Sequence, residues 1–428
     1  MSKIEKMHKK ARHSPKNGVY CRYHTTIYHK AEECLVSNSI YHSDSIYKCL
    51  LNLNICQDFT HIVVKHIMSI LISVFCYGYK GKATQFEHSS PCHRTTIAHF
   101  LNAGKWNSDS LESTLKARVI KLIYEEAQKS GEPIYCYVDD TISSKTKPSS
   151  QALHPIEDAY FHQSHLKRQQ DYGHQAVGVM LSCNGLTLCY AIVLYDKSKS
   201  KIQIAQDIAA ELPAAPHTSY FLCDSWYTCT KIVNAFQEKG FFTIGAIKAN
   251  RLVSLENGKM QISQLVHSLH LAGISPDLVT VGKRQYFVYR LEVALNGIEQ
   301  AAILISYPRD AFGVPSALRA FINTDLALST DAILHFYMER WNIEIFFRQA
   351  KQKLALDKYQ IRSSQGIKRF WLLMSLAHFI CCTGTGNTLS FEDGYSFFQN
   401  AIYRERIEYI YRCGMAHLPL KDVLASVA

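Results

Sequence analysis

Four residues in the last third of the chain have types and a spacing that could do chemistry: Tyr337, Arg340, Glu344 and Lys351, in the order Y-x2-R-x3-E-x6-K. On a helix turning about 100° per residue they fall within about 60° of one another, with Arg348 beside them. A carboxylate in such a strip can hold a divalent metal, while arginine and lysine at helical spacing can grip successive phosphates. Two more carboxylates stand where strands should end. Asp139 follows the β-prone run Ile134–Val138 and opens Asp139-Asp140-Thr141; Asp224 follows Ser219–Cys223 in the segment CDSWY. Three oxygen ligands of this kind suit Mg²⁺ or Mn²⁺. Two such ions can activate water or a 3′-hydroxyl and stabilise the departing oxygen of a phosphodiester. Each group also has a plainer reading: a solvated helix face for the strip, turn capping for Asp139 and Asp140, and helix N-capping for Asp224.

These residues need a scaffold, and the apolar pattern supplies one. Tyr337–Leu356 reads as a single amphipathic helix, started by Ser329 or Thr330 with Asp331 in the first turn. Phe336, Ile343, Phe346, Phe347, Ala350 and Leu354 form its core face. Upstream, Gln175–Cys183 and Leu186–Tyr195 flank Asn184-Gly185, a strong hairpin signal. Ile202–Leu212 and Tyr227–Glu238 read as helices, and Phe241–Lys248 as a fifth strand. The order β, β-hairpin, α, β, α, β is that of an RNase H-like core, an α/β fold with a mixed sheet and helices on its faces. That order brings Asp139 and Asp224 to neighbouring strand ends, with the Glu344 helix across them.

The expected layout is a basic, poorly defined arm over 1–60, a helical and possible DNA-binding subdomain over 61–130, a catalytic core over 131–249 and 326–385, a β-rich insertion over 250–325, and a helical C-terminal region over 386–428. Within 61–130, His93–Asn102 and Ser110–Gln128 around Ala103-Gly104-Lys105 fit either a helix-turn-helix DNA reader or a plain helical subdomain. Lys105, Lys116, Arg118 and Lys121 would serve phosphates in either case. Arg284–Leu295, Glu299–Tyr307 and Ala320–Asn323 read as strands of the insertion, and Lys368–Thr383 as an apolar helix.

With 428 residues, 47% hydrophobic and 19% charged, the chain has ample core for two or three domains. Its net charge of +11 favours a polyanionic partner. The cations gather in the first twenty residues and again over 340–369. Fourteen cysteines form no CxxC pair and no signal peptide precedes them, which points to reduced thiols in the cytoplasm. Ile67–Tyr79 is too short to span a bilayer. Cys21, His24, His29 and Cys34 match no standard zinc-finger spacing. His162, His165 and His174 offer HxxH plus a distal histidine, but without the glutamate of HExxH; a polar loop bordering the site is the better expectation.

Taken together, VDDT (138–141), CDSWY (223–227) and the Tyr337–Lys351 spacing resemble the motifs of IS4-type DDE transposases, in the same order and over roughly residues 80–385. The resemblance implies a cut-and-paste DNA transposase using Mg²⁺ or Mn²⁺, with Asp139, Asp224 and Glu344 as catalytic metal ligands. Asp139 is preferred to Asp140 as first ligand by the D-x-T pattern. It further implies that Tyr337, Arg340, Arg348 and Lys351 contact DNA, that the protein binds inverted-repeat ends as a homodimer, and that it works in the cytoplasm on the nucleoid. Some relatives stack a flipped base on a tryptophan in the β insertion. This insertion has none, and Tyr286, Phe287, Tyr289 or Phe312 would have to substitute. Two rival functions are an RNase H-like endonuclease without strand transfer and a domesticated protein that only binds DNA.

Overall fold

The computed structural model describes residues 43–82, 84–86, 90, 92–164, 167–255, 258–295 and 297–427. Most of the basic arm, the Cys21–Cys34 group, His165 and Asn296 lie outside the described residues.

The organising element is one twelve-stranded sheet. Its centre is β1 (Tyr135–Ser144), paired antiparallel with β3 (Gln169–Cys183) on one side and parallel with β5 (Ser219–Cys223) on the other. Beyond β3 lie β2 (Tyr160–Ser164), against its first half, and β4 (Leu186–Leu194), against its second. The β3–β4 turn is Asn184-Gly185, both at positive φ (47° and 80°), as a two-residue hairpin demands. β6 (Phe241–Ile247) pairs parallel with β5. The parallel strands β5 and β6 are almost wholly buried and read as continuous apolar runs because helices cover both faces.

The stretch after β6 extends this same sheet. β7 (Leu252–Leu255), β8 (Gly258–Gln261), β9 (Asp277–Val281), β10 (Arg284–Leu295) and β11 (Ile298–Pro308) lead to β12 (Arg319–Asn323), which returns to pair antiparallel with β6. This part has its own apolar cluster, with Val253, Leu265, Leu295, Ile303 and Ile322 buried together.

Among the described residues, five α-helices precede the sheet: α1 (Asp44–Asn52), α2 (Ile55–Asp58), α3 (His61–Phe75), α4 (Arg94–Asn102) and α5 (Ser108–Ser130). The turn expected between α4 and α5 is present, and Asn107 caps α5 by accepting from the Ser110 N–H at 3.1 Å. However, the i,i+4 stripe of α5 (Leu111, Leu115, Val119, Ile123, Ala127) is buried in the main apolar core, and α5 packs on β3 and β4. Lys116 is engaged at 2.9 Å by both Glu112 and Glu211. Helix α6 (Lys201–Glu211) lies between β4 and β5 in sequence, and α7 (Thr230–Gln237) between β5 and β6. Within the insertion, expected to be β-rich, Ile262–Leu271 forms a helix, α8.

The segment read as one helix is two. α9 (Thr330–Glu339) and α10 (Trp341–Lys353) meet at Arg340, where the bonds tighten to i→i−3: Arg340 N–H to the Tyr337 carbonyl and Ile343 N–H to the Arg340 carbonyl, each 3.2 Å. Ser329 caps the start as expected, accepting from Ala332 N–H at 3.2 Å. The anticipated core face is buried at Ile343, Phe346, Phe347, Ala350 and Leu354, and half-buried at Phe336. Helix α11 (Ser364–Thr383) is buried along most of its length; α12 (Phe391–Met415) and α13 (Leu420–Val427) follow it. Among the described residues, no helix is long and apolar enough to cross a membrane.

Candidate active site

Strand alternation decides what each aspartate of VDDT meets. Side chains two apart on β1 share a face. Tyr135, Asp139 and Thr141 all point toward α9 and α10. The Tyr135 ring lies edge-on to Phe336 at 5.5 Å, Asp139 Oδ2 accepts from Arg340 at 3.0 Å, and Thr141 Oγ1 accepts from Lys351 Nζ at 2.7 Å. Asp140 points to the other face. There it accepts from Lys201 Nζ at 2.9 Å, from the Tyr227 hydroxyl at 3.1 Å, and from Gln175.

Asp224 is the residue after β5. Because Val138 and Cys223 are register partners on parallel strands, Asp139 and Asp224 follow side by side; Asp224 leaves β5, whereas β1 does not end at Val138 as expected but runs on past Asp139 to Ser144, paired with β3. Asp224 Oδ1 accepts from the backbone N–H of Trp226 (2.9 Å) and Tyr227 (3.2 Å). It therefore caps a turn, while α7 begins six residues later behind Cys229. Glu344 sits on the first turn of α10, and Arg340 donates to it as well as to Asp139. One guanidinium thus joins the third carboxylate to the first.

The height of α10 over the sheet is set by an absence. The register partner of Asp139 on β3 is Gly178, and a Cβ there would stand 2.5 Å from Cζ of Phe347. Phe347 fills that space one helical turn beyond Glu344. Past α10 the chain is stitched to the end of β1: Lys145 Nζ donates to the carbonyls of Asp357 (2.7 Å) and Tyr359 (2.9 Å). Neither contact is visible in a motif. Gly178 carries only the weak signal of a glycine inside an apolar strand.

The electrostatics are those of crowded charge. Burial raises the Asp139 carboxyl; the Arg340 guanidinium pulls it down and Asp224 pushes it up again, leaving it at about 7. For Arg340, burial opposes the charge, but Tyr337, Asp139 and Glu344 outweigh it and hold the pKa above its ordinary value. The Asp139 result has a direct consequence for stability. A folded pKa above the ordinary 3.8 means that the proton stabilises the fold, fully below pH 3.8 and progressively less as pH rises through 7. Asp139→Asn stays neutral, so its unfolding free energy should rise relative to the parent between pH 4 and pH 8, by on the order of 2 kcal/mol at the upper end, and its melting temperature should climb with it. A constant difference in melting temperature across that range would show that Asp139 titrates normally.

Of the other residues singled out, Tyr337 is half-buried against Phe321, with ring centroids 4.7 Å apart, and Arg348 is exposed. Lys351 is partly buried and also donates to the Ile142 carbonyl at 3.0 Å. His162 lies in β2 rather than in a polar loop. His174 is fully buried, with Nε2 2.8 Å from the Glu157 carbonyl and Nδ1 2.9 Å from the Tyr359 hydroxyl. Both ring nitrogens of His174 are used by the fold, which leaves none for zinc. Among the described residues, no three histidine, cysteine, aspartate or glutamate groups are close enough together to hold a metal ion.

This constellation falls inside the span of a recognised domain. A family model described as the transposase DDE domain matches residues 134–380, more than half of the chain. The chain belongs to that family. No curated protein matches it. As a DDE transposase it is an enzyme whose substrate is DNA, and the family generally uses divalent metals. Asp139 and Asp224 suit such a cation as a donor set, being two adjacent carboxylates of which Asp139 is raised to about 7, first by burial and then by the charge of Asp224. Glu344 is linked to Asp139 through the Arg340 guanidinium, which donates to both.

Proposed function

We propose that the protein is an IS4-type, cut-and-paste DNA transposase whose catalytic core, 131–249 and 326–385, is RNase H-like. The observation that carries this reading is the Asp139–Arg340–Glu344 bridge beside Asp224, where the parallel pairing of β1 and β5 stops, within the transposase DDE match. The strand order β4-β3-β1-β5-β6, with only β3 running against its neighbours, supports the RNase H-like assignment.

Asp139, Asp224 and Glu344 would hold two Mg²⁺ or Mn²⁺ ions. When bound, these supply an activated water or 3′-hydroxyl and neutralise charge on the departing oxygen. The chain's own groups orient the substrate. Arg340 faces the carboxylates and Lys351 sits farther along β1, at Thr141 and Ile142; both receive DNA phosphates, Arg348 extends the cationic strip outward, and Tyr337 backs Arg340, whose guanidinium lies 5.7 Å from its ring. The Asp140–Lys201–Tyr227–Gln175 network locks β1 from behind, so that Asp139 presents one fixed direction. The functional unit is a homodimer on paired inverted-repeat ends. It acts in the cytoplasm on the nucleoid, with 61–130 assisting DNA binding and 250–325 and 386–428 as appended regions.

Incubation with Mg²⁺ and DNA carrying the element's own ends tests this reading. Joined product supports transposition, whereas cleavage without joining favours a simple endonuclease and binding alone a domesticated protein. Arg340→Ala should weaken end binding and reduce the slope of log affinity against log salt by about one, the signature of one lost phosphate contact. An unchanged slope would remove Arg340 from the phosphate contacts.

A further inference from the structure

Arg340 meets two of the three carboxylates at once. Its Nη1 donates to Asp139 Oδ2 at 3.0 Å and its Nη2 to Glu344 Oε1. The other oxygen of Asp139, Oδ1, accepts from the Asp140 backbone N–H at 2.8 Å, so both oxygens of the first aspartate already have donors. The Arg340 side chain is only 13% exposed, and contacts made with little water between the charges are strong. A guanidinium keeps its charge at any pH the fold survives, so it gives up these oxygens only by moving. As the groups stand, among the described residues no three acidic, histidine or cysteine side chains close on a point that could hold a metal ion. Arg340 also stands at a joint. α9 gives way to α10 at this residue through i→i−3 bonds on either side, and a tightened turn inside a helical run often marks a hinge. Its neighbours Met338 and Trp341 are more than half exposed, so the joint is open on its outer side.

We propose that Arg340 is the site's resident cation: it occupies Asp139 and Glu344 until a DNA phosphate draws it off, and only then can these carboxylates take a divalent ion. This rests on the metal-dependent, DNA-cleaving reading given above and adds an order to it, substrate before metal. One side chain thereby couples the two ligands, because what releases the guanidinium also frees the oxygens that the ion needs.

The test is Mn²⁺ binding by the full chain without DNA, read from the fall in the electron paramagnetic resonance signal of free Mn²⁺. Arg340→Gln should bind Mn²⁺ about tenfold more tightly than the parent, a usual size for coupling through one shared group. Arg340→Lys keeps the charge but has a single nitrogen in place of the fork that serves both carboxylates, and should lie in between. Lys351→Gln removes a charge from the same strip without touching either carboxylate, since Lys351 donates to Thr141 and Ile142, and should bind like the parent. The gain should vanish in Arg340→Gln/Asp224→Asn, which ties it to this site. An Arg340→Gln protein that binds Mn²⁺ no better than the parent would show that the guanidinium does not compete for the carboxylates. An equal gain in Lys351→Gln would reduce the effect to general charge, and a gain that survives Asp224→Asn would place the ion elsewhere. Each of these overturns the proposal and leaves the metal-site reading standing. If neither the parent nor any variant takes up Mn²⁺, that reading itself falls and takes this proposal with it.

Discussion

Asp224→Asn should fold as the parent does and cleave end DNA about 10³-fold more slowly, or worse. The substitution isolates charge from capping. An asparagine oxygen still accepts the Trp226 and Tyr227 N–H bonds that Asp224 now receives, so the turn after β5 keeps its cap. What it loses is the negative charge next to Asp139. Charge stabilisation by bound metal contributes several kcal/mol to phosphoryl transfer, and each 1.36 kcal/mol is about a factor of ten in rate. Glu344→Gln should show the same pattern, since its amide oxygen can still accept from Arg340. End binding, measured in Ca²⁺ by mobility shift, should change little for either variant. Near-parental cleavage by either would remove that residue from the site.

Gly178→Ala should cost more than its size suggests. The added methyl would have to share space with the Phe347 ring, at 2.5 Å from Cζ and 2.8 Å from Cε1. Phe347 is buried beside Phe346 and has little room to retreat. Overpacking of this kind costs about 1–3 kcal/mol. Relief requires α10 to lift off β3, and Glu344, one turn away, lifts with it. A displacement near 1 Å at a catalytic group costs about 10²-fold in rate. Cleavage should therefore fall by about 10–100-fold with only partial loss of stability. Phe347→Leu in the same chain should recover more than the two single effects predict, because the residues act through one contact. A Gly178→Ala protein that cleaves at the parental rate would show that the ring is not what sets the height of the helix.

Much of this architecture could be read from residue types alone. Ser219–Cys223 and Arg284–Leu295 are strands with the bounds expected, because β-branched and aromatic residues there meet clear turn signals. Asn184-Gly185 gave the hairpin for the same reason. The features that escaped are those whose cause lies elsewhere in the molecule. The break at Arg340 has no proline or glycine to announce it and coincides with the residue that reaches both Asp139 and Glu344. Helix α8 is short and was read as part of a strand-rich stretch, although Ile262, Leu265 and Leu269 keep helical spacing. β2 is a polar five-residue strand placed by pairing with β3 rather than by its own pattern. At the site, spacing singles out three carboxylates, and the structure links two of them, Asp139 and Glu344, through Arg340. The division of labour between Asp139 and Asp140 was visible only as an alternation, and the partners of Asp140 were not visible at all. Gly178 is the extreme case, since its contribution is an empty volume defined by a ring 169 positions away in the chain.

The pairing of β6 with β12 has a consequence for how this chain tolerates length. Ile247 and Ala320 are register partners on adjacent antiparallel strands, so everything between them is, to the hydrogen bonds, one oversized hairpin loop. Lengthening a loop is cheap, about 0.6 kcal/mol per doubling. Segments can be added at the outer turns of this span without shifting β1 against β5, which makes those turns natural graft points, whereas its strands are fixed by Val281, Val288 and Leu304, which enter the main apolar core.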